Sequence, residues 1–340
     1  MITNVVIRFL FHNKNEELNL LFRIYYLIAL LFTFTVLISL IFNQSVYLKY
    51  NTSDRQDFIN IPTAQQDTQK INQSDFDNNK ILTSNLLKEK LDNRLFDIDY
   101  IKKSKKVPNI VISKFPNDFK NIYSSSLKKE LFIKVALPLI VKENEKLISQ
   151  NLKIEKLKNN FDSINRREAL WLRKKMEEYE VSNNSIGELL MKIDAIPVSI
   201  ALSQAAIESG WGSSRFASEG NALFGQYVWG DKNGIIPEER SEDEIHKIKS
   251  FKNLKSSVSS YMKNLNSNFH YNEFRLNRYV MRKNGIVLDG IYLSDFLYNY
   301  STEKDYPEKI KKIIQSNSLD DFDEVRIDHF SVESSASDII

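Results

Sequence analysis

The stretch Pro197–Gly212, PVSIALSQAAIESGWG, places one carboxylate, Glu208, in the last turn of a predicted helix. Val198, Ala201, Leu202 and Ala205 give that helix a face of small apolar residues, which lets a second helix approach closely. Pro197 opens it at a first helical position, and Ser209-Gly210 reads as its C-terminal cap. A carboxylate at that end meets the negative pole of the helix dipole, at a cost of about 0.3–1 kcal/mol. The same field disfavours ionisation, as does a bulky indole such as that of Trp211. A carboxyl group held protonated near neutral pH is what general-acid chemistry requires. The plainer reading of Glu208 is an exposed glutamate tolerated at a helix end. Its company argues for chemistry. Trp211, Phe216, Phe224, Tyr227 and Trp229 all follow closely. Flat aromatics suit the apolar faces of sugar rings, although they also fill cores. Gly210, Gly212, Gly220 and Gly225 are four of the nine glycines in the chain, as expected where backbone approaches a groove. Cleavage of a glycan by a single acid is the chemistry these residues fit.

The rest of the composition narrows the field. Cysteine is absent, which removes a disulfide framework, a thiol nucleophile and thiolate-ligated zinc or iron–sulfur sites. The four histidines (His12, His246, His270 and His329) are scattered, and no HExxH, Walker or GxGxxG pattern appears. No metal and no organic cofactor is expected. Lys+Arg total 47 against 44 Asp+Glu, too even a balance to argue for nucleic acid.

The 340 residues leave room for one or two domains and extra segments. Ile24–Phe42, IYYLIALLFTFTVLISLIF, holds no charge and approaches the roughly 20 residues that span a bilayer. It exceeds an ordinary signal-peptide core, and no A-x-A site follows, so an uncleaved anchor is expected. Arg8, Lys14 and Arg23 precede it and put residues 1–23 in the cytoplasm. Residues 43–120 are polar and poorly periodic, apart from a short stretch near Ile81–Leu95, and read as a mostly flexible tether with one short helix. Residues 121–195 read as a helical lead-in, which Pro138 should kink or divide. Residues 101–160 carry 14 Lys against 5 Asp+Glu, as a solvated helix face or as a surface for anionic lipid or wall polymer. Further helices are expected over 163–180, 185–192 (with a Ser185-x-x-Glu188 capping box), 254–266, 293–300 and 307–314, and a small hairpin within 212–260. Residues 320–340, with seven acids and one Arg, read as a disordered tail.

The stretch Ala201–Gln226, ALSQAAIESGWGSSRFASEGNALFGQ, resembles the core motif of the Bax-type bacterial glucosaminidases. These belong with glycoside hydrolase family 73, which includes flagellar peptidoglycan hydrolases and autolysins. The family pattern is roughly A-Q-A-x-x-E-S-x-W-G-x-S-x-x-A, then G-N-x-L-F-G. A second match, Tyr300-Ser301-Thr302…Tyr306…Ile310, is similar to the family's Y-[AS]-x-x-x-x-Y-x-x-x-I, and the lead-in Leu137–Leu147 also looks alike. The resemblance covers about residues 125–320. It implies an α+β, mostly helical, lysozyme-like domain with a small β-lobe over 196–319. It makes Glu208 the general acid and places Tyr306 beside it, as a site residue or as packing for the last helix. Trp211, Asn221, Phe224, Gly225, Gln226, Tyr227 and Tyr300 fall at motif positions expected to bind substrate.

The resemblance further implies a second acid in the lobe after the NxLFG motif, here PEERSEDEIHKIKSF. Glu238, Glu239, Glu242, Asp243 and Glu244 qualify, and spacing favours Glu244. The substrate's own 2-acetamido group is the alternative. The expected protein is a peptidoglycan hydrolase of the inner membrane, with its domain in the periplasm. It would bind the bilayer through residues 24–42 and glycan strands at its site, cutting the β-1,4 bond after N-acetylglucosamine. The rivals are a lysozyme-like muramidase or lytic transglycosylase, which uses the same glutamate on the other linkage, and a wall-binding protein without activity.

Overall fold

The computed structural model describes residues 82–92, 96–229, 233–237 and 246–329. The apolar run 24–42 and the acidic stretch 238–245 lie outside them. Among the described residues, no helix is long and apolar enough to cross a membrane. The fold that follows is that of one compact unit, the described residues within Thr68–Arg282 and Val287–Ile340.

That unit is mostly helical α+β. Helices α1 (Ser84–Asp92) and α2 (Ile98–Ser104) lead to strand β1 (Lys106–Pro108). Then come α3 (Ser125–Asn159), α4 (Arg166–Glu178), α5 (Ile186–Lys192), α6 (Val198–Ser209) and α7 (Arg215–Gly220). Strands β2 (Tyr227–Val228), β3 (Gly234–Ile235) and β4 (Lys247–Lys249) form an antiparallel sheet in the order β2-β4-β3, the small lobe. Tyr227 and Ile235 both sit opposite Ile248. Helices α8 (Leu254–Ser267), α9 (Asn272–Lys283), α10 (Gly290–Ser294) and α11 (Tyr306–Asn317) close the unit, and β5 (Arg326–Asp328) follows.

Helix α6 lies at the centre. Every residue from Val198 to Ala206 is buried, so the helix is enclosed on all faces rather than along one stripe. The small residues allow this: α3 packs on α6 through its buried middle, Leu131–Val141, and α11 packs on it too. Pro197 stands at the N-cap and supplies no side-chain acceptor. Asp323, far along the chain, takes that role. Its Oδ1 accepts from the Ser199 N–H at 2.7 Å and its Oδ2 from the Ser199 hydroxyl at 2.8 Å. Burial pushes its carboxyl up to about 7, while the Ser199 bonds oppose the shift. A carboxyl group raised on folding binds its proton more tightly in the native state than in the unfolded chain. Its contribution is therefore whole below 3.8 and fades as pH rises through about 7. Urea unfolding from pH 4 to 8 should show this decline in the wild type and a flatter profile in Asp323→Asn.

Three expectations change. Residues 82–121 are not a tether. Leu87, Leu91, Phe96, Ile101, Phe115 and Phe119 are buried, and Asp118 accepts from both the Ser84 N–H and its hydroxyl. Leu87, Leu91 and Ile101 belong to two short helices, and Phe96 and Phe115 sit in irregular backbone, where neither helical nor strand periodicity reports burial. Nor is 320–329 a disordered tail. β5 pairs in parallel with β1, Ile327 opposite Val107, and Phe322, Val325 and Ile327 are buried despite the acids between them. Pro138 does not divide α3, which runs unbroken past it with its whole central stretch buried. Packing there outweighs the one backbone bond the proline removes.

Smaller details also differ. Ser185 caps α5 by accepting from the Glu188 N–H, but the Glu188 carboxylate reaches Ser182 N–H instead of Ser185. The full capping box is at Asn165 and Glu168. The helix expected over 293–300 is α10 followed by a 3-10 turn at Asp295–Leu297.

Candidate active site

The end of α6 is shaped by its cap. Gly210 takes a left-handed conformation, and the Trp211 N–H reaches back to the Ala206 carbonyl at 2.9 Å. Glu208 is half-buried one turn above this cap. Tyr306, the first residue of α11, is buried and donates its hydroxyl proton to Glu208 Oε1 at 2.7 Å. Gln204, one turn before Glu208 on the same helix, donates from Nε2 to the Tyr306 oxygen at 3.2 Å. Tyr261 of α8 donates to Gln204 Oε1 at 2.7 Å.

Burial is the largest influence on Glu208 and pushes its carboxyl above the ordinary 4.5. The Tyr306 hydrogen bond opposes this, the Glu303 carboxylate adds to it, and Lys309 opposes it. Glu303 and Lys309 are themselves an ion pair. Burial likewise raises Tyr306, Tyr261 and Tyr300 well above the ordinary tyrosine range, and Tyr271 to about 12. All four remain protonated donors at any physiological pH. A protonated Glu208 set among neutral donors can deliver a proton.

The structure brings most of the expected residues to this point. Tyr300 stacks on Tyr306 with ring centres 5.5 Å apart and donates to the Phe224 carbonyl at 2.9 Å. Phe224 is buried and stacks flat on Tyr261 at 3.8 Å, a wall beneath the site. Gly225 lies directly against Glu208, with a φ of +56°. Gln226 sits at the base of the lobe, its Nε2 toward the Ser260 carbonyl at 3.4 Å and its carbonyl accepting from the Lys249 N–H. Tyr227 is exposed on β2, with the His246 ring edge-on at 4.6 Å.

Two residues are placed differently. Asn221 ends α7 in a left-handed conformation and donates to the Phe251 carbonyl at 3.0 Å, tying helix to lobe. Trp211 turns away onto α3, edge-on to Phe132 at 5.5 Å and under the Lys129 ammonium. The groups acting on Glu208 are thus its burial and the charges above, without the indole. Glu244 lies outside the described residues, as do Glu238, Glu239, Glu242 and Asp243. Tyr261 and Tyr271 went unnoticed in the sequence. Nothing in the spacing of α8 marks Tyr261, whereas Gln204 stands four residues before Glu208 and so shares its face.

Gly225 is required on two counts. A Cβ there would stand 2.8 Å from Glu208 Oε2, and its backbone is left-handed, which costs an L-residue about 1–2 kcal/mol. Gly225→Ala should fold with a slightly lower melting temperature and, if Glu208 is the acid, lose about 100-fold or more in kcat/KM, since it displaces Glu208 Oε2.

Residues 184–319 match the family model described as mannosyl-glycoprotein endo-beta-N-acetylglucosaminidase. The Protein bax of Escherichia coli (strain K12) is 29% identical over 206 residues, covering 59% of this chain and 73% of that protein. The exo-glucosaminidase LytG of Bacillus subtilis (strain 168) is 27% identical over 225 residues, covering 64% of this chain and 74% of the relative. The crystal structure of the catalytic domain of the autolysin Auto from Listeria monocytogenes overlaps 49% of this chain and 97% of its own, at 18% identity. The TM-score of that overlap is 0.30. Glu208, Tyr306, Gln204 and Gly225 all lie within the matched residues 184–319, a glucosaminidase domain similar to those of Protein bax and LytG, which supports a glycoside hydrolase.

Proposed function

We propose that the protein is a membrane-anchored peptidoglycan hydrolase that cleaves the β-1,4 bond after N-acetylglucosamine. The observation that carries this is the pairing of Glu208 with Tyr306 in a buried, lysozyme-like setting where burial favours the protonated acid. Glu208 protonates the leaving glycosidic oxygen from Oε2, while Tyr306 holds Oε1. Negative charge develops on the carboxylate as the proton leaves, and the Tyr306 hydrogen bond then strengthens. Positive charge develops on the sugar. An acid of the lobe, with Glu244 the first choice, or the substrate's acetamido oxygen meets it. A retaining route with a protein nucleophile needs the two carboxyls about 5–5.5 Å apart, an inverting one about 6.5–9.5 Å. Tyr227 on the exposed strand offers a flat face to a sugar ring, with Gln226 and Tyr300 beside the groove, while Asn221 and Trp211 brace the turns behind it. Residues 24–42 span the inner membrane and leave this domain in the periplasm. The apolar run and its preceding cations support that orientation.

The test is a digest of purified peptidoglycan by the full-length protein in detergent, with Glu208→Gln alongside, and identification of new chain ends by mass spectrometry. Reducing N-acetylglucosamine ends formed only by the wild type support the reading. Muramic or anhydromuramic ends would transfer it to a muramidase or lytic transglycosylase. Binding without any new end would leave a wall-binding protein.

A further inference from the structure

The hydroxyl of Tyr306 has two neighbours, Gln204 and Glu208, and a phenol has one proton to give. Which neighbour receives it decides whether Glu208 is held or released. The distances on either side of Gln204 answer this. Tyr261 stands 2.7 Å from Gln204 Oε1, the length of an O–H···O bond. Tyr306 stands 3.2 Å from Gln204 Nε2, the length of an N–H···O bond. The amide therefore faces Tyr306 with its donor. Among the described residues, the acceptor left to the Tyr306 proton is Glu208 Oε1, at 2.7 Å. Glu208 Oε2, among the described residues, has no hydrogen-bond partner and faces the space that Gly225 leaves open. Gln204 and Tyr261 are both fully buried, so no solvent competes for these groups.

We infer that Gln204 and Tyr261 are positioning residues for the reaction: the relay from Tyr261 through Gln204 commits the Tyr306 proton to Oε1 of Glu208, and so makes Oε2, over Gly225, the oxygen that delivers the catalytic proton. This rests on Glu208 being the acid. Tyr261 matters because it holds the amide in register. Without its hydroxyl, nothing stops Gln204 from turning over. Oε1 would then accept from Tyr306 and draw its proton away from Glu208. The carboxylate form of Glu208 would lose its main hydrogen bond, and its affinity for the proton would rise.

The pH dependence of kcat/KM on peptidoglycan, measured on the full-length protein, tests this. Tyr306→Phe removes the donor outright and should move the alkaline limb upward by about one pH unit. Tyr261→Phe should move it in the same direction by a similar amount, although Tyr261 is not in contact with Glu208. Adding Gln204→Leu to Tyr261→Phe takes away the competing acceptor, so Tyr306 returns to Glu208 and the limb should come back toward the wild-type position. Titration of a carbon-13-labelled Glu208 carboxyl gives the same readout in variants with slow turnover, and melting curves identify any variant that does not fold.

A double variant displaced further than Tyr261→Phe, or a Tyr261→Phe limb left where the wild type has it, would overturn the relay and leave both residues as packing. If neither Glu208→Gln nor Tyr306→Phe alters the profile, the acid itself has been misassigned, which is a different failure.

Discussion

Glu208→Gln should lower glycan cleavage by a factor of about 1,000 or more while the protein folds at least as well as the wild type at pH 8. The first half follows from chemistry. An amide cannot protonate a leaving oxygen, and no other carboxyl group among the described residues shares the Tyr306 hydrogen bond. The second half follows from the direction of the Glu208 shift. Burial raises the carboxyl above 4.5 in the folded state, so the native protein binds this proton more tightly than the unfolded chain does. The stability it contributes is complete below 4.5 and is lost as pH rises through the raised native value. At pH 8 a charged Glu208 is a burden that glutamine relieves, and at pH 4 the two proteins should melt alike. Melting curves at both pH values, beside the peptidoglycan digest, check both halves. A variant with near-normal turnover would remove Glu208 from the mechanism. A variant that loses activity because it melts far below the wild type at pH 8 would show that the glutamate is structural.

The second large effect concerns residues outside the matched family region. A chain beginning at residue 122 should fail to fold cooperatively, whereas one beginning at 82 should unfold in a single transition. The shorter chain loses Leu87, Leu91, Phe96, Ile101, Phe115 and Phe119, all buried to within 1% of full enclosure. Each such side chain contributes about 1.5–3 kcal/mol on burial. The core they cover, at Gly212 and at Phe132 of α3, is left facing water, and the loss of a few such contacts is comparable with a total stability of about 5–15 kcal/mol. The loss also reaches the site by two routes. Phe115 and Phe119 lie against Gly212, where an added Cβ would stand 3.0 Å from the Phe115 ring, so they brace the turn that follows Glu208. Phe115 also stacks on Phe132, which carries the Trp211 edge. β1 is the partner of β5, and the 3-10 turn just before β5 leads into Asp323, the cap of α6. Thermal unfolding and limited proteolysis of the two chains would decide the point. Equal melting temperatures would mean the segment is an accessory rather than part of the fold.

The sequence by itself determined the helix that carries Glu208, its left-handed end and the placement of Glu208 in the last turn. Each is a local matter: small apolar residues in a row, a Ser-Gly cap, and spacing along one helix. The long motif from Ala201 to Gln226 and the second match over Tyr300–Ile310 also made the glucosaminidase domain legible. The same local rules found α8, α11 and, near Ile81–Leu95, α1.

What the tertiary structure decided depends on partners distant in the chain. Helix α9 escaped notice because Arg275 and Arg278 occupy buried positions that a hydrophobic pattern reserves for apolar residues. Their terminal guanidinium nitrogens donate to carbonyls of Leu265, Asn268, Asp194 and Met191, and no sequence window contains that set. Residues 82–121 and 320–329 look unstructured in composition because their apolar residues are few and irregularly spaced. They are ordered by packing on α3 and by pairing with each other. Tyr261 belongs to the site only because Gln204 stands where its hydroxyl reaches. A hydrogen bond fixes its partners by distance and direction, and those quantities exist only once the chain has folded.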